Sequence, residues 1–272
     1  MSHSDSAETE LRGRVAMVTG GAHNIGLGVA TKLVEAGAAV VVFDKSPEAT
    51  DAAVGQLAEH GGEVRGAVGD VADAGDVEAA LQAARSSLGA VDILVNNAGI
   101  WIIKTLLDHT EEDFDRVVAT NLKGTFLCSR AVLPAMIERG WGRIVNVASI
   151  AAFHYTVPHV SYAASKAGIV ALTRDLAYEV ATHGVTVNAV APGSIPPSDA
   201  PAGPVRSARR LPMGPGAPAD IAEAVAFLVS DRARYISGVT VPVAGAADIA
   251  LGSLDRDEGD AGQIWQGHRP GG

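Results

Sequence analysis

Residues Val15 to Gly28 read VAMVTGGAHNIGLG, and this stretch decides the fold. Its first five residues are typical of a buried strand, and a helical pattern begins at Gly26. The glycines between them let the backbone turn tightly and approach a pyrophosphate, whose charge would lie at the helix amino terminus. A glycine-rich turn alone is a weak signal, but a strand before it and a helix after it are the context that a dinucleotide site requires.

Short apolar runs alternate with longer helical segments along the rest of the chain. This alternation predicts an α/β fold with a doubly wound parallel sheet of about seven strands and helices on both faces. The predicted strands are Val15–Thr19, Ala39–Phe43, Glu63–Val68, Asp92–Asn96, Arg143–Val147, Val185–Val190 and Val239–Val243. The predicted helices are Gly26–Ala36, Pro47–His60, Val77–Leu88, Glu111–Glu138, Val160–Thr182 and Ala219–Ser230.

The 272 residues are expected to form one dinucleotide-binding and catalytic domain over residues 14–250. Residues 1–13 are expected to form a flexible lead, and residues 251–272, rich in Gly, Asp and Arg, are expected to form a mobile tail. Eight of the thirteen prolines lie between Pro192 and Pro218. Because proline disfavours regular helix and central strand, residues 194–218 are expected to form an irregular loop over the substrate.

The composition argues against several classes of function. The net charge of −10, without a basic block, disfavours nucleic acid or an anionic membrane as a partner. No apolar stretch approaches the roughly 18 residues that span a bilayer. The first ten residues lack the pattern of a secretory signal, so we expect a cytoplasmic protein. Cys128 is the only cysteine, which excludes an intrachain disulfide and a structural cysteine zinc site, and no metal site is expected.

Asp44 follows the second predicted strand, eighteen residues after Gly26. A carboxylate here can accept hydrogen bonds from the ribose hydroxyls of a dinucleotide, although it could also be an ordinary solvated strand end. The same charge would repel a 2′-phosphate, so the sequence favours NAD over NADP as the cofactor. Lys45 and His23 weaken this preference, because a basic residue nearby could accommodate the phosphate.

Tyr162 and Lys166 are four residues apart, so on a helix they lie on one face, one turn apart. A phenol has an unperturbed pKa of about 10, and an ammonium on the next turn is expected to lower it. Ser149 lies thirteen residues before Tyr162 and follows an apolar strand-like run. Together the three side chains could hold a carbonyl oxygen and move a proton to or from it.

With these motifs the chain resembles the short-chain dehydrogenases/reductases of about 250 residues, which have a Rossmann-like fold, over roughly Arg14 to Gly245. Further landmarks of the family occur in its order, with Asp70-Val71 after the third strand and Asn97-Ala98-Gly99 after the fourth. The resemblance implies a coenzyme site formed by Gly20, Asn24, Ile25, Gly26, Asp44, Lys45, Asp70, Val71, Asn97, Ala98, Gly99, Tyr162, Lys166, Pro192, Gly193 and Ile195.

The resemblance also implies a catalytic set of Asn121, Ser149, Tyr162 and Lys166. Tyr162 would be the general acid in carbonyl reduction and the base in alcohol oxidation, and Ser149 would donate to the substrate oxygen. Lys166 would lower the pKa of Tyr162 and hydrogen-bond the nicotinamide ribose. Asn121 would hold a water for the proton relay.

Three positions depart from the family's pattern. Asn24 stands where the family usually has glycine, but asparagine tolerates left-handed backbone geometry, so the turn should survive. Pro197 replaces a threonine that often contacts the nicotinamide amide. The last strand leads into Val243-Ala244-Gly245-Ala246 rather than an Asp-Gly turn.

The sequence therefore predicts an NAD(H)-dependent oxidoreductase that interconverts a small-molecule secondary alcohol and ketone. One alternative is a dinucleotide-sensing regulatory protein without turnover, which the presence of Tyr162 and Lys166 disfavours. The other is a nucleotide-sugar epimerase or dehydratase, which resembles the same superfamily but has a sizeable C-terminal substrate domain.

The resemblance implies a homotetramer or homodimer. The helix over residues 111–138 is therefore expected to expose an apolar stripe of Val117, Val118, Phe126, Leu127 and Val132. The substrate pocket is expected at Ile100–Ile103, Ile150–Tyr155 and the loop after Gly193. The apolar character of Ile100, Trp101, Phe153 and Ile195 favours a hydrophobic substrate, although packing alone would explain Trp101 and Phe153 about as well.

Overall fold

The computed structural model describes residues 10–155, 157–196 and 211–250. Its centre is a sheet of seven parallel strands in the order β3-β2-β1-β4-β5-β6-β7. The strands are β1 Val15–Thr19, β2 Ala39–Asp44, β3 Val64–Val68, β4 Ile93–Asn96, β5 Gly142–Val147, β6 Val185–Pro192 and β7 Thr240–Val243. The predicted α/β class and parallel sheet are confirmed.

Helices cover both faces of this sheet. They are α1 Asn24–Glu35, α2 Pro47–Ala58, α3 Ala74–Ser87, α4 Glu111–Val118, α5 Gly124–Arg139, α6 Val160–Val180, α7 Pro218–Val229 and the short α8 Ala247–Ala250. One apolar layer contains buried residues of α1, α2 and α7, and the other contains those of α3, α5 and α6. Within the described ranges, no helix is both long and apolar enough to cross a membrane.

The strands are apolar on both faces because both faces are covered. All five residues of β1 are buried. Ala16 and Val18 pack into the layer of α1 and α7, whereas Val15 and Met17 pack into the layer of α3 and α5. Successive side chains of a strand point to opposite faces, so a strand between two helical layers needs a continuous apolar run rather than alternation.

The direction of chain progression reverses at β1. This strand pairs with β2 on one side and with β4 on the other. In an open α/β sheet, ligands bind in the crevice outside the carboxyl ends of the strands at such a reversal. The glycine turn after β1 and the segment Asn97–Gly99 after β4 both lie at this position.

Helix α3 begins at Ala74, three residues before the predicted start at Val77. Asp73 caps this helix, because its side chain accepts hydrogen bonds from the N–H groups of Gly75 at 2.7 Å and Asp76 at 3.1 Å. The predicted start considered only the apolar residues of α3 and missed the cap. The bounds of the predicted strands differ from the observed ones by at most two residues.

The helix predicted over Glu111–Glu138 is present as a continuous helical run, but it is not a regular α-helix throughout. Between α4 and α5 lies a π turn over Ala119–Lys123. A π turn holds one more residue than an α-helical turn, and here the Thr125 hydroxyl donates to the carbonyl oxygen of Asn121 at 2.7 Å. Apolar periodicity does not reveal one extra residue, so the prediction of a regular helix is wrong at this point.

Part of the apolar stripe expected on this helical run is buried in the fold of the single chain. Val117 is 0% exposed and Val132 is 3% exposed, and Val132 packs with α3. Phe126, in contrast, is 47% exposed. The expected exposure is therefore wrong for the two valines, because their side chains are buried within the chain's own fold.

Alanine substitutions at Leu33 and at Leu107 should differ strongly in their effect on the free energy of unfolding. Leu33 in α1 is 0% exposed, so Leu33→Ala should lower the free energy of unfolding by about 2–5 kcal/mol through lost burial and a cavity. Leu107 is 97% exposed, so the same truncation should change it by less than about 0.5 kcal/mol. Urea unfolding followed by circular dichroism measures both, and equal losses would contradict the packing described.

Candidate active site

The candidate site lies at the carboxyl edge of the sheet. Ser149 follows β5, and Tyr162 and Lys166 lie one turn apart in α6. Ser149 is 9% exposed and Lys166 is 4% exposed, so these polar groups are largely removed from water. The structure brings the three side chains together, as the spacing in the sequence predicts.

The hydroxyl of Ser149 lies close enough to the phenol of Tyr162 to influence its pKa. Burial raises the pKa of Tyr162, and the neighbouring hydroxyl of Ser149 has a smaller, opposite effect. The Ser149 oxygen also accepts a hydrogen bond from the N–H of Ala151 at 3.1 Å, which helps to orient the hydroxyl. At neutral pH Tyr162 therefore keeps its proton.

Lys166 lies beside Tyr162, but the pKa of Tyr162 remains above its ordinary value. Its Nζ is 5.5 Å from the centre of the Tyr162 ring and donates to the carbonyl oxygen of Val147 at 2.6 Å. Burial lowers the pKa of Lys166 to about 8. The expectation that Lys166 brings the pKa of Tyr162 below its ordinary value is therefore corrected, because desolvation of the phenol dominates and the ammonium is directed to Val147.

Asn121 is fully buried in the π turn. Its side chain accepts from the N–H of Ile100 at 2.8 Å, and its amide donates to the carbonyl of Ile100 at 2.9 Å and to the hydroxyl of Ser165 at 3.0 Å. A Cβ atom added to Gly99 would lie 3.3 Å from Asn121 Oδ1 and 3.5 Å from Lys166 Nζ. Asn121 thus fixes the segment after β4 next to Lys166, and its role in holding a water stays a prediction.

Hydrogen bonds tie the glycine turn after β1 to the end of β4. The side-chain amide of Asn97 donates to the carbonyls of Thr19 at 3.0 Å and Gly20 at 2.9 Å. The Thr19 hydroxyl accepts from the N–H groups of Asn97 and Ala98, each at 3.0 Å. Asn24 has a φ of 40°, so it adopts the left-handed geometry expected where the family usually has glycine.

The start of α1 has properties that fit the phosphates and ribose of a dinucleotide. His23 at its N-cap makes no side-chain capping bond, and the first turn holds no acidic residue, so this turn does not neutralise the positive end of the helix. The Oδ1 atom of Asn24 is buried without a hydrogen-bond partner, and a ligand hydroxyl could satisfy it. A Cβ on Gly26 would overlap the carbonyl oxygen of Gly20, so only glycine permits this close approach.

Asp44 ends β2 and contacts the same turn. One carboxylate oxygen accepts from the N–H of Ala22 at 3.2 Å, and the other accepts from the N–H groups of Lys45 at 2.7 Å and Ser46 at 3.4 Å. The side chain of Lys45 reaches the end of β3, where Nζ lies 2.8 Å from Oδ2 of Asp70. This hydrogen bond from Lys45 holds the pKa of Asp70 below its ordinary value.

The other predicted coenzyme residues border this edge. Ile25 and Ile195 are partly buried against the layer of α1 and α7, and Val71 is buried against the opposite layer. Pro192 ends β6, and the N–H of Gly193 donates to the carbonyl of Val243 in β7 at 3.0 Å. Pro197, most of the loop 194–218 and the tail 251–272 lie outside the described residues.

Two contacts near the site were not predicted from the sequence. The ring of His159 meets that of Tyr162 edge-on with 5.1 Å between centres, and burial lowers the pKa of His159. Lys104 Nζ lies 2.5 Å from Asp113, while the N–H of Lys104 donates to the carbonyl of Pro158 at 2.9 Å. Lys104 thereby links α4 to the segment that precedes α6. Lys104 and Pro158 are far apart in the sequence, so no local sequence pattern predicts this contact.

The described residues contain no cluster of three or more His, Cys, Asp or Glu side chains placed to hold a metal ion. Cys128 is 1% exposed, and burial raises the pKa of its thiol to about 12. A thiol that keeps its proton is a poor nucleophile and a poor metal ligand, so Cys128 acts as a packed core residue.

Comparisons with known proteins find related sequences and a similar fold. The family model for short chain dehydrogenase matches residues 14–201. The chain is 40% identical over 240 residues to the 3-oxoacyl-(acyl-carrier-protein) reductase FabG of Vibrio cholerae, covering 86% of this chain and 97% of that protein. It is 37% identical over 246 residues to 2-(S)-hydroxypropyl-CoM dehydrogenase 3 of Xanthobacter autotrophicus, covering 86% and 96%. A crystal structure from Agrobacterium tumefaciens, provisionally assigned as a gluconate dehydrogenase, matches with a TM-score of 0.83 at 30% identity, covering 88% and 97%.

Alanine at Gly26 and at Gly55 should have opposite effects on stability. At Gly26 the new methyl would overlap the Gly20 carbonyl and lie 2.5 Å from the Asn97 amide nitrogen. Gly26→Ala should therefore lower the free energy of unfolding by about 1–3 kcal/mol. At Gly55, inside α2, nothing lies within 4 Å of the added atom. Gly55→Ala should raise stability by up to about 1 kcal/mol. Urea unfolding measures both, and effects of the same sign would argue against this turn geometry.

Proposed function

The chain belongs to the short-chain dehydrogenase family, and we propose that it is an NAD(H)-dependent oxidoreductase that interconverts a secondary alcohol and a ketone. The observation that carries this proposal is the placement of Tyr162, Ser149 and Lys166 together, with Lys166 Nζ 5.5 Å from the centre of the Tyr162 ring and with Ser149 and Lys166 buried. Two hydroxyl groups and an ammonium at one buried point can polarise a carbonyl oxygen and transfer a proton to it.

In this proposal Tyr162 gives its proton to the carbonyl oxygen during reduction and takes a proton from the alcohol during oxidation. Ser149 donates a hydrogen bond to the same oxygen, where negative charge develops. When bound, the coenzyme supplies or accepts the hydride. The raised pKa of Tyr162 suits an acid, because the phenol still holds its proton at neutral pH.

Lys166 would act on Tyr162 after the proton has left. With a pKa of about 8, Lys166 is mainly an ammonium at neutral pH. A positive charge one turn away stabilises the phenolate that forms, whereas burial alone disfavours that charged form. Asn121 would support this group by fixing Gly99 and Ile100 beside Lys166.

The preference for NAD over NADP rests on the end of β2. Gly20 and Gly26 would admit the pyrophosphate to the start of α1, and Asp44 would accept hydrogen bonds from the ribose hydroxyls. A carboxylate at that place disfavours a 2′-phosphate. Lys45, the neighbouring residue that could attract such a phosphate, already pairs with Asp70.

We also propose that the substrate carries an apolar group. Trp101 is 63% exposed and Phe153 is 50% exposed, in segments that follow β4 and β5. Large apolar side chains left exposed at a ligand-binding edge commonly contact the ligand. The relatives named for 2-hydroxypropyl and 3-oxoacyl compounds act on a secondary alcohol and a ketone, which supports the reaction class.

Removal of the Tyr162 hydroxyl tests the proposed chemistry. Tyr162→Phe should lower kcat by at least about 10²-fold, because proton transfer loses its acid and base. NADH binding, followed by fluorescence titration, should persist. The matched control is Tyr178→Phe in the same helix, since Tyr178 is 89% exposed, and it should keep full activity. The assay is NADH formation across a panel of alcohols, steroids, sugars and hydroxyacyl compounds. Full activity of Tyr162→Phe, or NADH binding by a chain inert on the whole panel, would count against the proposal.

The pH dependence should differ between the two directions. Because burial raises the pKa of Tyr162, the acid form needed for reduction is present throughout the neutral range. The base form needed for oxidation is scarce there, so kcat/KM for oxidation should rise about tenfold per pH unit from neutrality to about pH 8. Above that pH the slope should fall, because Lys166, with a pKa of about 8, loses the charge that stabilises the phenolate. Initial rates with saturating coenzyme measure both profiles. An oxidation rate that is flat between about pH 6 and pH 8 would be inconsistent with a tyrosine base.

A further inference from the structure

Lys45 connects the ends of two neighbouring strands. It directly follows Asp44, the last residue of β2, yet its Nζ lies 2.8 Å from the carboxylate of Asp70 beyond the end of β3. The side chain of Lys45 is 79% exposed and that of Asp70 is 34% exposed. The cation that adjoins the proposed ribose carboxylate is therefore directed towards another carboxylate.

Asp70 is held in place by the local backbone. Its second carboxylate oxygen accepts from the N–H of Ala72 at 2.9 Å, and its own N–H donates to the Asp76 carboxylate at 2.8 Å. Lys123, whose Nζ donates to the carbonyl of Ala72 at 2.9 Å, also favours the charged form of Asp70. Asp70 is thus a fixed anion, whereas Lys45 is an exposed and flexible cation, so the position of the pair is decided by Asp70.

We propose that Asp70 is a specificity-determining residue that disfavours NADP by holding Lys45 away from the 2′ position of the ribose. This inference rests on the proposed dinucleotide coenzyme. A 2′-phosphate beside Asp44 would need a cation to offset the repulsion between the two negative groups. Lys45 could supply it only by leaving Asp70, which would then lose its partner.

The size of the effect follows from the exposure of the pair. Exposed ion pairs are weak and are screened by salt, so release of Lys45 should alter relative coenzyme affinity by about fivefold rather than by orders of magnitude. The effect should appear in the ratio of the two dissociation constants. Contacts that NADH and NADPH share cancel in this ratio.

A double-mutant cycle tests the proposal. Wild type, Asp70→Asn, Lys45→Met and the double variant are titrated with NADH and NADPH by fluorescence at low ionic strength, and the ratio of Kd for NADPH to Kd for NADH is compared. Glu78→Gln is the control for loss of one negative charge, because Glu78 is an exposed residue of α3. It should leave the ratio unchanged.

Asp70→Asn should lower the ratio about fivefold, since Lys45 is freed to meet the phosphate. Lys45→Met should change the ratio by less than about twofold in the wild-type background but should raise it about fivefold in the Asp70→Asn background. An equal effect of Lys45→Met in both backgrounds would show that the two charges act independently and would overturn the inference while leaving the proposed function intact. Failure of wild type to bind either coenzyme would overturn both.

Discussion

The hydrogen bonds between the end of β1 and the end of β4 are the constraint on which the candidate site depends. The side-chain amide of Asn97 donates hydrogen bonds to the carbonyls of Thr19 and Gly20. The Thr19 hydroxyl accepts hydrogen bonds from the N–H groups of Asn97 and Ala98. The glycine turn and the segment after β4 are therefore held together by four hydrogen bonds. Two residues beyond Asn97, Gly99 packs against Asn121 and Lys166. The half of the site suited to a dinucleotide and the half suited to proton transfer thus share a single structural support.

Much of this could be predicted from the sequence, because the decisive signals are local. Runs that are apolar on both faces identify strands covered on both sides, and the turn between β1 and α1 shows the type of residue that its backbone requires. The four-residue spacing of Tyr162 and Lys166 needs only helical geometry to place them together. The position of Asp44 can be predicted from an equally local signal, because it is the last residue of β2, the strand that pairs with β1.

Features that depend on tertiary surroundings could not be predicted in this way. The direction of the pKa shift of Tyr162 depends on how much water the fold removes, and spacing to Lys166 gives no measure of burial. The partner of Lys45 lies twenty-five residues along the chain. Val117 and Val132 belong to an apolar stripe that either a partner chain or the sheet could cover, and the pattern is the same in both cases. Sequence patterns identify chemical groups, whereas the fold decides their environment.

The π turn between α4 and α5 determines how α5 is rotated about the helix axis relative to α4. An α-helix advances by about 100° per residue, so loss of one residue from Ala119–Lys123 would rotate α5 by about that angle relative to α4. Cys128 and Met136, now 1% and 0% exposed, would swing out of the core. The turn that places Asn121 next to Ile100 therefore also determines which face of α5 packs into the core. A deletion or insertion in this segment should be more disruptive than a substitution of one of its exposed side chains.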